Sequence, residues 1–194
     1  LIDMHHIIAD GTSVSIVIDE LNQLYNGQNP EPLTVQYKDY SAWLKQIKTT
    51  GQSHKQEKFW IDEFSGELPV MNLPTDYPRP QFQSFEGGTV ESEIDAEVSR
   101  RLQSLAKEAN VTVFSILLAA YNVLLSKYTG QEDIVVGTPV AGRNHTDIQN
   151  VVGMFVNTLA LRNYPAGNKT FREFVQELSE KSLLAIEHQD YPLE

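Results

Sequence analysis

Two adjacent histidines near the start of the chain, His5 and His6, are followed by the pair Asp10 and Gly11. Neutral imidazole takes up a proton near neutral pH, so a histidine here could hydrogen-bond or deprotonate an attacking group during acyl transfer. Gly11 permits unusual backbone angles or close ligand approach. Its N–H, at a helix N-terminus, is placed to stabilise an oxyanion. Asp10 is poorly spaced to reach the same reacting atom, and the role expected for it is an ion pair with an arginine that holds the turn.

The flanking residues predict a strand-to-helix turn for this motif. The segment Leu1 to Met4 is predicted as the end of a buried strand. Thr12 and Ser13 are good N-caps for a helix that ends at Gly27. Adjacent side chains of an extended segment point to opposite faces, so one histidine is expected to face a cleft and the other to be packed.

Two other interpretations of the histidines are weaker. A metal site needs a third ligand, and apart from Asp10 the candidates are the distant histidines at positions 54, 145 and 188. No H-E-x-x-H spacing is present, so no metal is predicted. Both rings could also be ordinary packed side chains, which the Asp-Gly pair and the helix start make a poorer explanation.

The rest of the chain alternates between helical and strand patterns. Helices are predicted over residues 13–26, 37–47, 56–64, 96–109, 113–128 and 171–188, and strands over residues 88–94, 134–139 and 155–162. Asp95 and Thr112 are predicted N-caps, and Thr170 with Glu173 forms a capping box. The helix after Thr112 is apolar on most sides and is predicted to be central. This alternation predicts an α/β layered architecture.

Composition limits the class of protein. The 194 residues are 41% hydrophobic, which suffices for one large or two small domains. A net charge of −11 argues against binding to nucleic acid or to anionic lipid. No apolar run reaches the length of a membrane span, and no signal peptide is apparent. The lack of cysteine excludes thiolate catalysis and suits a cytoplasmic enzyme. A first residue inside a strand-like run suggests a piece of a larger protein.

Four stretches in order resemble the condensation domains of nonribosomal peptide synthetases, which have the chloramphenicol acetyltransferase-like fold. Residues 5–11 (HHIIADG) resemble the HHxxxDG signature, and residues 37–43 (YKDYSAW) resemble YxDYAxW. Residues 152–158 (VGMFVNT) with Arg162 resemble xGxFVNTxxxR, and residues 188–194 (HQDYPLE) resemble HQDYPFE, with Leu193 in place of the usual Phe.

The resemblance implies a two-lobed α/β sandwich with its active site in a tunnel between the lobes. Residues 1–65 would then be the end of the N-terminal lobe, most of which is missing, residues 66–86 a proline-rich crossover, and residues 87–194 an incomplete C-terminal lobe. The arginine that pairs with Asp10 is then expected in the missing lobe, with Arg143 as a disfavoured local substitute.

The implied reaction is peptide-bond formation. An aminoacyl amine on one carrier domain attacks an acyl or peptidyl thioester on another, and both substrates are held on 4'-phosphopantetheine arms. By the family pattern His6 is catalytic, while His5, Asp10 and Gly11 are structural, and Asn157 is either a cleft residue or a strand residue that satisfies a neighbouring loop. The implied partners are upstream and downstream peptidyl carrier domains and an adjoining adenylation domain.

Three alternatives remain open from the sequence. An epimerisation domain shares HHxxxDG but acts on the α-carbon. Another HHxxxDG acyltransferase would acylate a small molecule or make an ester. A noncatalytic recruitment module of the same fold usually has a damaged histidine motif, and the motif here is intact.

Overall fold

The computed structural model describes residues 2–47 and 51–191. Their α-helices are α1 (Gly11–Tyr25), α2 (Tyr37–Ile47), α3 (Gly51–Glu63), α4 (Ala96–Ala109), α5 (Val113–Thr129) and α6 (Phe171–Glu187). The strands β1 (Ile134–Val140) and β2 (Asn157–Asn163) pair in a two-stranded sheet. This combination of helices and a small sheet confirms the predicted α/β class.

Local capping explains where several helices begin. The Asp95 carboxylate accepts a hydrogen bond from the third residue of α4. Thr112 Oγ1 accepts one from the Ser115 N–H of α5, at 3.1 Å. At α6 the Thr170 N–H donates to the Glu173 carboxylate at 2.8 Å and the Glu173 N–H donates to Thr170 Oγ1 at 3.2 Å. The capping box predicted from the sequence is confirmed.

Two predicted strands are wrong. Residues 2–4 and 88–94 adopt no strand, and no described strand pairs with either segment. Ile2 and Val90 are exposed, Val90 at 96%. An apolar alternation makes a strand only where a neighbouring edge accepts its backbone hydrogen bonds and a core covers one face. The described residues supply neither to these segments.

The residues fall into two compact units. Unit 1 comprises Leu1–Ser65, Gly137–Ala160 and Ala185–Glu194, and unit 2 comprises Gly66–Val136 and Leu161–Leu184. In unit 1 a buried cluster of Ile148, Val151 and Phe155 packs against partly buried residues of the segment 33–40. The residues of the four motifs, except Arg162, belong to unit 1.

Within unit 2, α5 is buried on one side and exposed on the other. Ile116, Leu118, Ala119 and Leu125 are buried. The exposed side carries Phe114, Leu117, Tyr121, Leu124 and Tyr128. The prediction that this helix is central is therefore wrong for the described residues, because unit 2 covers only one of its two apolar faces.

None of the helices in the described part of the chain is, taken singly, both long and apolar enough to cross a bilayer. Taken together, α4 and α5 are long and apolar enough by length and composition only, but the two helices are bent by 102° at the break between them.

Candidate functional site

Asp10 is the N-cap of α1. Its backbone is extended, and its Oδ1 accepts a hydrogen bond from the Ser13 N–H at 2.8 Å. The prediction of Thr12 and Ser13 as caps is wrong, because α1 begins at Gly11, two residues before the predicted start. A short carboxylate one residue before the first helical position satisfies an N–H that has no partner within the helix.

Ser13 joins the start of α1 to a loop 140 residues further along the chain. Its hydroxyl oxygen is 2.8 Å from both Asp10 Oδ1 and the Gly153 carbonyl oxygen. With one hydrogen, the hydroxyl donates to one of them at a time. The same oxygen accepts the Gly153 N–H at 3.0 Å. Ser13 has no exposed surface, so this link lies in the interior of unit 1.

Arg143 supplies the ion-pair partner of Asp10. Its Nη2 is 3.0 Å from Asp10 Oδ1, and the two side chains are 6% and 0% exposed. Its Nη1 donates to the carbonyl oxygens of Ile148 at 2.8 Å and Val151 at 2.6 Å, and its guanidinium lies 4.1 Å from the centre of the Phe155 ring. The expectation of an arginine from a missing lobe is wrong, because the loop after β1 carries this one to Asp10.

These contacts decide the protonation of Asp10. Burial raises its pKa, but the hydrogen bonds from Ser13, the Phe155 N–H and Arg143 together outweigh burial and lower the pKa from 3.8 to about 2. The Phe155 N–H donates to Oδ2 at 3.1 Å, so both carboxylate oxygens are occupied. At neutral pH Asp10 is an anion held by its neighbours, which suits a structural role and not proton transfer.

The two histidines lie on a hydrogen-bonded turn directly before this network. The Ile8 N–H donates to the His5 carbonyl at 3.1 Å, and the Ile7 N–H donates to His5 Nδ1 at 3.1 Å. Both rings are exposed, so the prediction that one of them is packed is wrong: the segment turns instead of running extended. No described residue hydrogen-bonds to the His6 ring, which leaves both its nitrogens open to a substrate.

Gly11 is the first residue of α1. It is not among the glycines with positive φ, so the expected unusual backbone angles are not found. A Cβ placed there would meet no described atom within 4 Å. The space beside the N-terminus of α1 is therefore open on this side.

The second motif packs against the third. The Tyr37 hydroxyl donates to the Met154 carbonyl at 2.8 Å, and its ring meets Phe155 edge-on at 5.1 Å between centroids. Tyr40 also contacts Phe155, at 4.7 Å. A Cβ at Gly153 would collide with the Tyr37 ring, so the close approach of α2 to this loop requires glycine there.

Asn157 hydrogen-bonds to the backbone of the fourth motif, residues 188–194. Its Nδ2 donates to the carbonyl oxygens of Gln189 at 2.8 Å and Tyr191 at 3.2 Å, while its Oδ1 accepts the Thr158 N–H. Asn157 also lines a cavity of unit 1. The geometry therefore shows the loop-satisfying interaction, on a residue that also faces open space. Residues 192–194 of this motif lie outside the described residues.

Two residues central to the network did not stand out in the sequence. The sequence marks Ser13 only as a cap and Arg143 only as a disfavoured partner of Asp10. The sequence offers one signal for Arg143, its cationic side chain directly after Gly142 in a loop of polar residues.

The remaining motif arginine, Arg162, forms a two-point ion pair with Asp133 in unit 2, with Nη2 2.7 Å from Oδ2. Within the described part of the chain, no three His, Asp or Glu side chains are grouped to hold a metal ion.

Comparison with known proteins identifies the family. The model of the condensation domain family matches residues 1–194. Tyrocidine synthase 3 of Brevibacillus parabrevis is 56% identical over the whole chain, which spans 3% of that protein's length. The chain belongs to the condensation domain family.

Solved structures agree with this assignment. The X-domain from teicoplanin biosynthesis, in its complex with OxyB, is 28% identical and superposes with a TM-score of 0.87 over 98% of this chain and 44% of that one. A four-domain nonribosomal peptide synthetase bound to AMP and glycine is 27% identical, also with a TM-score of 0.87, over 98% of this chain and 14% of that one. The fold is therefore part of the chloramphenicol acetyltransferase-like fold, as the resemblance implied.

Proposed function

We propose that this chain carries the acyl-transfer centre of a condensation domain that forms peptide bonds, with His6 as its catalytic residue. The observation that carries the proposal is a contrast within the motif. Asp10 is buried, and both of its carboxylate oxygens accept hydrogen bonds. The His6 ring, four residues earlier, is exposed and has no hydrogen-bond partner among the described residues. The network anchors the turn, and the imidazole is left for a substrate.

In the proposed reaction the amine of a carrier-bound aminoacyl group attacks the carbonyl carbon of a second carrier-bound thioester. The C–N bond forms, the C–S bond breaks, and the thiol of the donor phosphopantetheine arm is released. An α-amine has a pKa of about 8, so roughly a tenth of it is neutral at pH 7. His6 therefore serves to orient the amine and to accept its proton after attack, and alignment of two tethered substrates supplies several kcal/mol.

The open N-terminus of α1 suits the developing oxyanion. The Gly11 N–H belongs to the first turn of a helix, whose N–H groups carry partial positive charge. The neutralised Asp10–Arg143 pair beneath it adds little net charge of either sign. In this proposal the carrier domains and an adjoining adenylation domain are the partners, and the phosphopantetheine arms enter as substrate.

The test is a dipeptide assay with the complete condensation domain and two loaded carriers. We expect His6→Ala to reduce the rate about 10²- to 10⁴-fold, as for loss of a general acid–base group, with an unchanged melting temperature. The neighbouring variant His5→Ala is the matched control and should retain most activity. An inverted stereocentre in place of dipeptide would show an epimerisation domain and contradict the proposal.

Asp10→Ala separates the structural from the chemical role. It should abolish activity together with a lowered melting temperature, because it leaves Arg143 buried and unpaired. A variant that melts normally and is inactive would assign Asp10 to the chemistry instead.

A further inference from the structure

The histidine turn is attached to the interior of unit 1 at its C-terminal end. Within the described part of the chain, every hydrogen bond of residues 2–8 stays between positions 5 and 8. Burial begins at the next two residues, Ala9 at 6% exposed and Asp10 at 2%. The place of the His6 ring therefore depends on how firmly Asp10 and the start of α1 are fixed.

The Ser13 hydroxyl joins the start of α1 to the loop that carries Gly153. Its oxygen accepts hydrogen bonds from the Gly153 N–H at 3.0 Å and from Arg143 Nη2 at 3.1 Å. Its hydrogen is donated to Asp10 Oδ1 or to the Gly153 carbonyl oxygen, each at 2.8 Å. Two accepted bonds and one donated bond are the full capacity of a hydroxyl. The hydroxyl therefore holds α1 and the loop in one relative position.

The loop that Ser13 contacts is itself held from another direction. The Tyr37 hydroxyl of α2 donates to the Met154 carbonyl oxygen at 2.8 Å. The Tyr37 ring also fills the space beside Gly153, where an added Cβ would collide with it. Because packing on α2 fixes the loop, Ser13 transmits a defined position to α1 and not a movable one.

Ser13 differs from the other members of this network because it carries no charge. Loss of the Asp10 or Arg143 side chain leaves the partner charge buried and unpaired, which is strongly destabilising. Loss of the Ser13 hydroxyl leaves that pair intact, since Arg143 Nη2 is also 3.0 Å from Asp10 Oδ1. The helix cap remains as well, because the backbone N–H of Ser13 makes it. The hydroxyl can thus be removed while both charges and the cap are kept.

We propose that Ser13 is a positioning residue for the reaction, whose hydroxyl holds the histidine turn where the amine must be oriented. The inference rests on the proposed function, in which the His6 ring orients that amine. Without the hydroxyl, the start of α1 loses its side-chain link to Gly153, and the turn attached to it shifts. A shift of about 1 Å in reacting groups can cost on the order of 10²-fold in rate.

The dipeptide assay with the complete condensation domain and two loaded carriers tests this role. The rate is expressed per folded molecule, with the folded fraction taken from circular dichroism at the assay temperature. We expect Ser13→Ala to lower kcat at least about tenfold and to change KM for either loaded carrier less than about threefold, because alignment is lost and carrier binding is not. An unchanged kcat per folded molecule, with only a lowered melting temperature, would show a merely structural hydroxyl and overturn the proposal.

Two further variants assign the effect to the hydroxyl. Ser15→Ala is the matched control, because Ser15 is an exposed serine on the same helix, and its kcat should be unchanged. Ser13→Thr keeps a hydroxyl on the same Cβ and should recover most of the lost kcat. A normally melting Ser13→Thr that is as slow as Ser13→Ala, or an equal loss in Ser15→Ala, would contradict the assignment. If Ser13→Ala does not fold, Ser13→Cys, with similar volume and only a weak donor, replaces it with the same expected values.

A double-mutant cycle tests whether Ser13 acts through the histidine turn. When His6 is already replaced by alanine, the additional change Ser13→Ala should lower the rate less than about twofold, because no imidazole is left to position. Losses that multiply would show that Ser13 acts independently of His6 and would overturn the proposal. A full rate in His6→Ala alone would instead overturn the proposed function, so the two failures are distinguishable.

Discussion

Within seven residues, the HHxxxDG motif contains two regions of opposite character. Asp10 has no exposed side-chain surface and accepts hydrogen bonds from Ser13, Arg143 and the Phe155 N–H. The histidine rings at positions 5 and 6 are exposed, and the hydrogen bond from the Ile7 N–H to His5 is the single one that the described residues make to either ring. The carboxylate end of the motif is therefore held in the interior of unit 1, whereas the imidazole end stays accessible, as the role proposed for His6 requires.

The largest expected effect on stability is at Arg143. Replacing it by methionine leaves Asp10 charged and buried without its partner, so we expect the free energy of unfolding to fall by about 3–5 kcal/mol in urea titrations. The control is Arg172→Met, which removes a pair with Glu108 at 3.7 Å that is exposed on both sides. That change should cost less than about 1 kcal/mol. Similar losses in both variants would contradict the importance of burial.

Two motif glycines differ in the same way, because Gly153 is packed against a side chain and Gly11 is not. Gly153→Ala should lower the free energy of unfolding by about 1–3 kcal/mol, because the new methyl group meets the Tyr37 ring. Gly11→Ala meets nothing and lies at the start of a helix, so its stability should be unchanged or raised by up to about 1 kcal/mol. Chemical denaturation of both variants checks this, and equal destabilisation would show that Gly11 is also packed.

The buried carboxylate gives a pH signature. Because the pKa of Asp10 is about 2 in the folded chain and 3.8 ordinarily, its contribution is complete above pH ~4 and is lost as the pH falls toward 2. The shift corresponds to a contribution on the order of 2 kcal/mol. The difference in unfolding free energy between the unmodified chain and Asp10→Asn should therefore shrink between pH 5 and pH 2. A difference that stays constant over this range would contradict the lowered pKa.

The smallest expected effects are at the histidines. His5→Ala and His6→Ala should each change the free energy of unfolding by no more than about 0.5 kcal/mol, since both rings are exposed. His5→Ala should be the larger of the two, because it removes the acceptor of the Ile7 N–H. Thermal melts of both variants provide the measurement. A loss above about 1 kcal/mol at His6 would show a structural role and weaken its assignment to catalysis.

Local sequence signals predicted the elements well where neighbouring residues decide the outcome. The capping box of Thr170 with Glu173, and the caps at Asp95 and Thr112, depend on residues within one helical turn, and the structure has all three. The strand predicted over residues 88–94 failed because strand formation requires a partner that periodicity does not reveal. For the same reason the apolar spacing of α5 did not show which of its faces would be covered.

At the candidate site, too, the sequence predicted what depends on residue identity and missed what depends on contacts between distant residues. The order of four motifs was sufficient to indicate the condensation domain family, because motif residues can be read directly from the chain. The pairing of Asp10 with Arg143 joins residues 133 positions apart, and the link from Ser13 to Gly153 joins residues 140 positions apart. Nothing in the local sequence specifies either contact.

By itself, then, the sequence determined the starts of α4, α5 and α6, the α/β class and the family, since these depend on short-range spacing and on residue identity. Only the tertiary structure decided that Asp10 is buried against Arg143 and that both histidines are exposed. The physical reason is that burial and ion pairing arise when distant segments meet. The free energy of such contacts depends on the surroundings that the fold creates.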